Sequence, residues 1–163
     1  EQIDIWWRGE RENIGLMLAL AILLKRGEEW SKASVTVKTV AVSDTEAVEA
    51  ENRLKSLVSP SYIQAETAVI RAQPSAVFAA IQESSKNADL VFMGARPPTD
   101  EVDTEREYVD YYSDLMSSTE GLPTTAIVLA SAGTDYLRVL GSAGDTVKEE
   151  ANNRHKNNDS SSS

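Results

Sequence analysis

The residues that could do chemistry lie in three places. Arg8-Gly-Glu-Arg-Glu-Asn-Ile-Gly15 sets two glycines and two arginines before an apolar run, as a phosphate at a helix N-terminus would need. The stretch lacks the Lys-Ser/Thr ending of a P-loop and the spacing of a dinucleotide fingerprint. Glu10 and Glu12 would also face the anion, so it reads as a plain connection. Asp100, Glu101, Asp103, Glu105 and Glu107 offer oxygen ligands for a hard cation, but not at EF-hand spacing. Carboxylates at a helix start also suit the helix dipole, so these read as a solvated face. The single histidine, His155, lies in a polar tail, where no second ligand or ordered triad partner reaches it. The chain has no cysteine, which removes thiolate catalysis, disulfides and thiolate-bound metals. No catalytic, cofactor-binding or metal-ligating residue is therefore assigned, and no catalytic activity is expected.

The 163 residues are enough for one domain with a sizeable core. Sixteen basic against 26 acidic residues give a formal charge of −10, with lysines and arginines scattered singly or in pairs. Such a surface repels nucleic acid and anionic headgroups, so neither nucleic-acid nor direct lipid binding is expected. The apolar run from Gly15 to Leu24 is about half the roughly 20 residues of a membrane span. Acidic residues precede it and Lys25-Arg26 follow, the reverse of a signal peptide. It reads as a helix buried on most sides inside a soluble domain. The first residue is Glu, not Met, as in a fragment of a longer chain.

The remaining elements follow from periodicity. Ile3–Trp7 is a short β-type run, then a helix runs from Asn13, a plausible N-cap, to Arg26, with Gly27 to end it. Val35–Val42 is β-branched and reads as a strand. Ser43-Asp-Thr-Glu46 is a capping box, and Ala47, Ala50, Leu54, Leu57 and Val58 continue it at helical spacing. Ser59-Pro60 ends that helix. Ile63–Ala72 is a third strand, Pro74 opens a helix with the stripe Val77, Phe78 and Ile81, and Ala88–Met93 is a fourth strand apolar enough to be buried on both faces. Tyr108, Val109, Tyr112, Leu115 and Met116 predict an amphipathic helix stopped by Gly121-Leu-Pro123, and Thr124–Ala130 is the fifth strand. This alternation predicts an α/β domain, an open, mostly parallel five-stranded sheet with helices on both faces, spanning residues 1–142. Residues 143–163 are a polar tail too poor in apolar residues to order itself. Trp6 and Trp7 point to opposite faces of their strand. Either both are packed core residues, or one ring is exposed as an anchor for a partner.

In an open α/β sheet, ligands sit beyond the carboxyl ends of the strands, where strand order reverses. The loops in question are Arg8–Glu12, Ser43-Asp44 and Gly94–Asp103. Nucleotide-binding universal stress proteins carry Gly-x2-Gly-x9-Gly-Ser/Thr after the fourth strand. With Gly94 as the first glycine, the second position is Pro97 and the third is Glu107, followed by Tyr108. Proline removes a backbone donor and the carboxylate would face phosphate, so nucleotide binding in that manner is not expected.

Four segments together carry a resemblance. Ile3-Asp-Ile-Trp-Trp7, followed by Gly15-Leu-Met-Leu-Ala-Leu-Ala-Ile-Leu-Leu-Lys-Arg-Gly-Glu-Glu-Trp30, resembles the start of the cytosolic C-terminal domain of cation-chloride cotransporters (the sodium-potassium-chloride cotransporter family). Ala88-Asp-Leu-Val-Phe-Met-Gly-Ala-Arg-Pro-Pro98 resembles that family's apolar strand and proline-containing loop. Tyr108–Met116 with Gly121–Leu129 resembles its closing helix and strand. The likeness spans about residues 3 to 133, in matching order. It implies a universal-stress-protein-like fold with strand order 3-2-1-4-5. It also implies a regulatory and homodimerising role on the cytoplasmic side of the cell membrane, attached to a membrane domain that carries chloride with sodium, potassium or both. Animal members carry a long phosphorylated insert before the fourth strand. Here one short helix stands in its place, which implies a prokaryotic homologue without that switch. The alternative is a free-standing stress-type protein that binds a nucleotide.

Overall fold

The computed structural model describes residues 1–9, 11–58, 64–98 and 105–134, together with Tyr136 and Arg138. The polar tail 143–163 with His155, the residues Asp100, Glu101 and Asp103, Glu10, and the predicted strand start at Ile63 lie outside the described residues.

Five parallel strands form one sheet in the order β3-β2-β1-β4-β5. They are β1 (Gln2–Trp6), β2 (Ser34–Ala41), β3 (Glu66–Arg71), β4 (Leu90–Gly94) and β5 (Thr125–Val128). Between them run α1 (Arg11–Lys25), α2 (Asp44–Val58), α3 (Val77–Ser85) and α4 (Glu105–Ser118). β1 takes the centre, with Ile3 opposite Val35 on one side and Leu90 on the other. The open α/β sheet expected from the alternation is the one observed, and its strand order is the one that the stress-protein-like resemblance implies.

Side-chain alternation along β1 builds two cores. Ile3 and Ile5 face one side with Val35, Val37, Phe92 and Val128, packed against Ile14, Met17, Leu18 and Ala21 of α1 and Leu54 of α2. Those α1 residues recur at i, i+3, i+4 and i+7, the line a helix lays against a sheet. Trp6 faces the other side with Val91 and Met93, packed against Ile81 of α3 and Leu115 of α4. Burying a side chain such as Leu18 completely contributes about 1.5–3 kcal/mol, so both layers hold the sheet firmly. Among the described residues, no helix is long and apolar enough to cross a membrane.

Several local expectations are corrected. Asn13 does not cap α1, which begins two residues earlier, at Arg11; its carboxamide is used elsewhere. The capping box forms on one arm: Ser43 Oγ accepts from the Glu46 N–H at 3.2 Å. The Glu46 carboxylate accepts from the N–H of Val42 at 2.9 Å rather than from that of Ser43. Pro74 opens a single 3-10 turn, Pro74–Ala76, and α3 starts behind it. Phe78, placed in the core stripe by its spacing, is 37% exposed, because α3 turns Ile81 and Ser85 inward instead. In α4 only Leu115 of the predicted stripe is buried, with Tyr111 half-buried beside it. Gly121 ends the turn after α4 at φ +80°, a backbone angle that glycine adopts without a side-chain clash.

Candidate ligand cleft and buried polar clusters

The carboxyl edge of the sheet brings together parts of two of the loops named by the topology, Arg8-Gly9 and Gly94, with Val42 and Glu46 from either side of Ser43-Asp44. A cavity of about 260 Å³ opens there, lined among others by Trp7, Arg8, Thr39, Glu46, Arg53 and Gly94. It falls just below the usual range of small-molecule pockets, about 300–1,000 Å³. Its polar groups are partly engaged within the chain: Arg53 pairs with Glu49 at 3.0 Å, and Glu46 holds the Val42 amide. Thr39 Oγ1 donates to the Trp7 carbonyl at 2.8 Å, tying the rim to β2.

The loop after β4, where a phosphate would be wrapped, is sealed by the protein itself. The Ala95 N–H donates to the Val128 carbonyl at 2.8 Å. The Arg96 N–H donates to the Tyr111 hydroxyl at 3.0 Å. Pro97 and Pro98 have no N–H to offer. The Arg96 guanidinium lies over the Tyr111 ring at 4.3 Å and the Tyr108 ring at 5.8 Å, a cation–π arrangement that holds the loop down on α4.

Asn13 completes the seal. Buried in the first turn of α1, it donates from Nδ2 to the Ala95 carbonyl at 2.7 Å. Its Oδ1 accepts from the Ala130 N–H at 2.8 Å. One carboxamide thus joins the carboxyl ends of β4 and β5 to α1. Gly94 is glycine for this reason: a Cβ there would lie 2.9 Å from Asn13 Nδ2.

A second polar cluster sits in the opposite half of the sheet. Lys38 Nζ pairs with Asp4 Oδ2 at 2.7 Å, the two side chains being 7% and 0% exposed. The ammonium also donates to the Ser84 carbonyl at 2.7 Å and to Ser84 Oγ at 3.1 Å. Gln2 Nε2 donates to Asp4 Oδ1 at 3.0 Å. Trp6 Nε1 donates to Ser85 Oγ at 2.9 Å, and Lys38 Nζ lies 5.9 Å from the Trp6 ring. The cluster therefore fastens the C-terminal end of α3 to the sheet, and a cation there suits the helix dipole.

Of the paired tryptophans, Trp6 is the packed core residue expected, buried on the α3–α4 side, whereas Trp7 is half-buried against the α1–α2 side and lines the cleft. Glu107, the third position of the glycine pattern, lies on α4, and Pro97 lies in the sealed loop. Periodicity and motifs assign no role to Asp4 or Lys38, which the structure makes a buried ion pair. The signal was present, since each is a lone charge inside an apolar or β-branched strand run. Among the described residues, no group of three or more His, Cys, Asp or Glu could hold a metal ion.

Compared with known proteins, the chain matches no protein-family model. No curated protein matches it either.

Proposed function

We propose that this chain is the cytosolic regulatory and dimerisation domain of a prokaryotic cation-chloride symporter, without catalysis of its own. The observation that carries this reading is the pairing of β1 with β4. Ile3–Trp7 and the run from Ala88 to Pro98, both quoted for the resemblance, lie side by side at the centre of the sheet, with Ile3 opposite Leu90 and Trp6 opposite Met93. The strand order that the resemblance implies accompanies them. The sealed β4 loop supports a role that does not pass through a bound phosphate. In this reading the domain sits on the cytoplasmic face of the membrane, joined to its own membrane domain and paired with a second copy.

The test is the reading frame upstream of the codon for Glu1. A frame that continues back through about a dozen apolar segments of roughly 20 residues supports the transporter. A start codon at or near Glu1 overturns it. Sedimentation across the micromolar range tests the homodimer, and a monomer throughout counts against it.

The cleft itself favours one other reading, a free-standing nucleotide-binding protein. A ligand that binds only the folded state raises its melting temperature. Stabilisation by millimolar ATP would support that reading, and no shift would remove it.

A further inference from the structure

The cleft at the carboxyl edge has two unlike halves. On the α3 side its lining is apolar, from Val40, Val77, Ile81 and Met93. Ile81 and Met93 belong to the core, but Val40 and Val77 are only half-buried, and Val42 at the rim is 49% exposed. On the α2 side the lining is Thr39, Glu46, Ala50 and Arg53. The cleft therefore reaches over the sheet edge from one face to the other, past Trp7 and Arg8 at the end of β1. An apolar lining with a few polar groups to fix orientation is the usual make-up of a small-molecule site.

The charges select the ligand. The chain has a formal charge of −10, yet the described lining holds two arginines and a single carboxylate. Arg53 is balanced by Glu49 at 3.0 Å, and the Glu46 carboxylate is held by the Val42 N–H. Glu12 stands in the first turn of α1, outside the lining. Among the described residues, Arg8 forms no ion pair. One guanidinium is thus left over, and its planar fork suits a carboxylate. A polyphosphate would bring several negative charges beside Glu46, while the β4 loop amides are already taken. The volume of about 260 Å³ equals roughly nine waters at about 30 Å³ each, the space of a ligand with about ten non-hydrogen atoms.

We propose that the cleft binds a small monocarboxylate with a compact apolar body, the carboxylate on Arg8 and the body against Val40 and Val77. The site belongs to the domain itself, so the proposal stands whether or not a membrane domain precedes the chain. The upstream reading frame and the binding experiment therefore fail separately.

The probes are phenylacetate and hexanoate, with phenylacetamide as the uncharged counterpart of the first. Binding to the full chain is measured by isothermal titration calorimetry at about 0.05 M salt, where charge attraction is little screened. Both carboxylates should bind with a dissociation constant of about 1 mM or below, and the amide about tenfold more weakly. Arg8→Gln should bring phenylacetate to the level of the amide and leave the amide unchanged. Ala50→Leu fills the cleft with a residue that suits α2 and should abolish binding of all three. A melting temperature equal to or above that of the parent shows that each variant folds. Absence of binding by both carboxylates up to about 10 mM overturns the proposal. Carboxylate and amide bound alike, or carboxylates indifferent to Arg8→Gln, overturn the role of the charge. Binding that survives Ala50→Leu lies elsewhere and overturns the site. ATP bound more tightly than either carboxylate, and lost in Ala50→Leu, overturns the ligand class in favour of a nucleotide.

Discussion

Replacing Lys38 with Met tests how the buried Asp4–Lys38 cluster holds α3 to the sheet. The substitution keeps most of the aliphatic stem and deletes an ammonium with three acceptors: Asp4 Oδ2, the Ser84 carbonyl and Ser84 Oγ. The Asp4 carboxylate, fully buried, is left with the Gln2 amide alone. At an effective dielectric of about 20, unit charges at the observed separation attract by about 6 kcal/mol. Removing both ions from water costs several kcal/mol each. The pair is therefore near balance as a pair, but either ion alone is a large liability.

Lys38→Met should accordingly cost about 3–5 kcal/mol, a fall in melting temperature of about 9–15 °C at about 3 °C per kcal/mol. Urea unfolding followed by tryptophan fluorescence measures it, because Trp6 lies beside the ammonium. Adding Asp4→Val removes the stranded charge, so the double variant should recover most of the loss. A single-variant cost below about 1 kcal/mol, within the range of an exposed ion pair, would refute the reasoning. So would a double variant as unstable as the sum of the two singles.

Asn13→Ala leaves the Ala95 carbonyl and the Ala130 N–H without partners. It should cost about 2–6 kcal/mol, at about 1–3 kcal/mol for each stranded group, and hydrogen exchange at Ala130 should quicken. Gly94→Ala drives a Cβ toward Asn13 Nδ2 and should cost about 1–3 kcal/mol. In the Asn13→Ala background that cost should shrink, and a double-mutant cycle reads the coupling. The hydrogen bond and then the charge of Lys55 hold the Glu51 carboxyl below its ordinary value of 4.5. The pair's contribution is thus present above that ordinary value and is lost as pH falls through the depressed one. An NMR titration should place the Glu51 midpoint below 4.5 and return it toward that value in Lys55→Gln.

The strands and helices were legible because their patterns are local. β1, β2 and β4 lie within two residues of their periodic runs at each end, and α1 buries most of its apolar run, though Leu23 is half exposed. The misplaced residues share a cause: their partners are distant in sequence. Asn13 has the side chain of a helix cap, and only contacts 82 and 117 residues away draw it into the β4–β5 crevice. Two apolar lines run along α4, one through Tyr108, Tyr111 and Leu115 and one through Val109, Tyr112 and Met116. Spacing cannot say which line faces the sheet. The observed line packs Leu115 and Tyr111 against the sheet, where the Tyr111 hydroxyl also accepts from the Arg96 N–H. Asp4 and Lys38 lie 34 residues apart, and neither strand alone shows that the other charge awaits it.

The sealing of the β4 loop and the exposure of the α4 row are one event. Residues on a helix advance by about 100° each, so turning Tyr111 and Leu115 toward the sheet carries Val109, Tyr112 and Met116 outward. A chain that wrapped a phosphate would need the amides of Ala95 and Arg96 free. Here the first belongs to Val128 and the second to Tyr111. Freeing the second would release the contact that orients α4, and the apolar row would lose its fixed direction. A phosphate held by this loop and the observed seating of α4 therefore compete for the same backbone donor. The observed hydrogen bonds stand on the side of the seated helix.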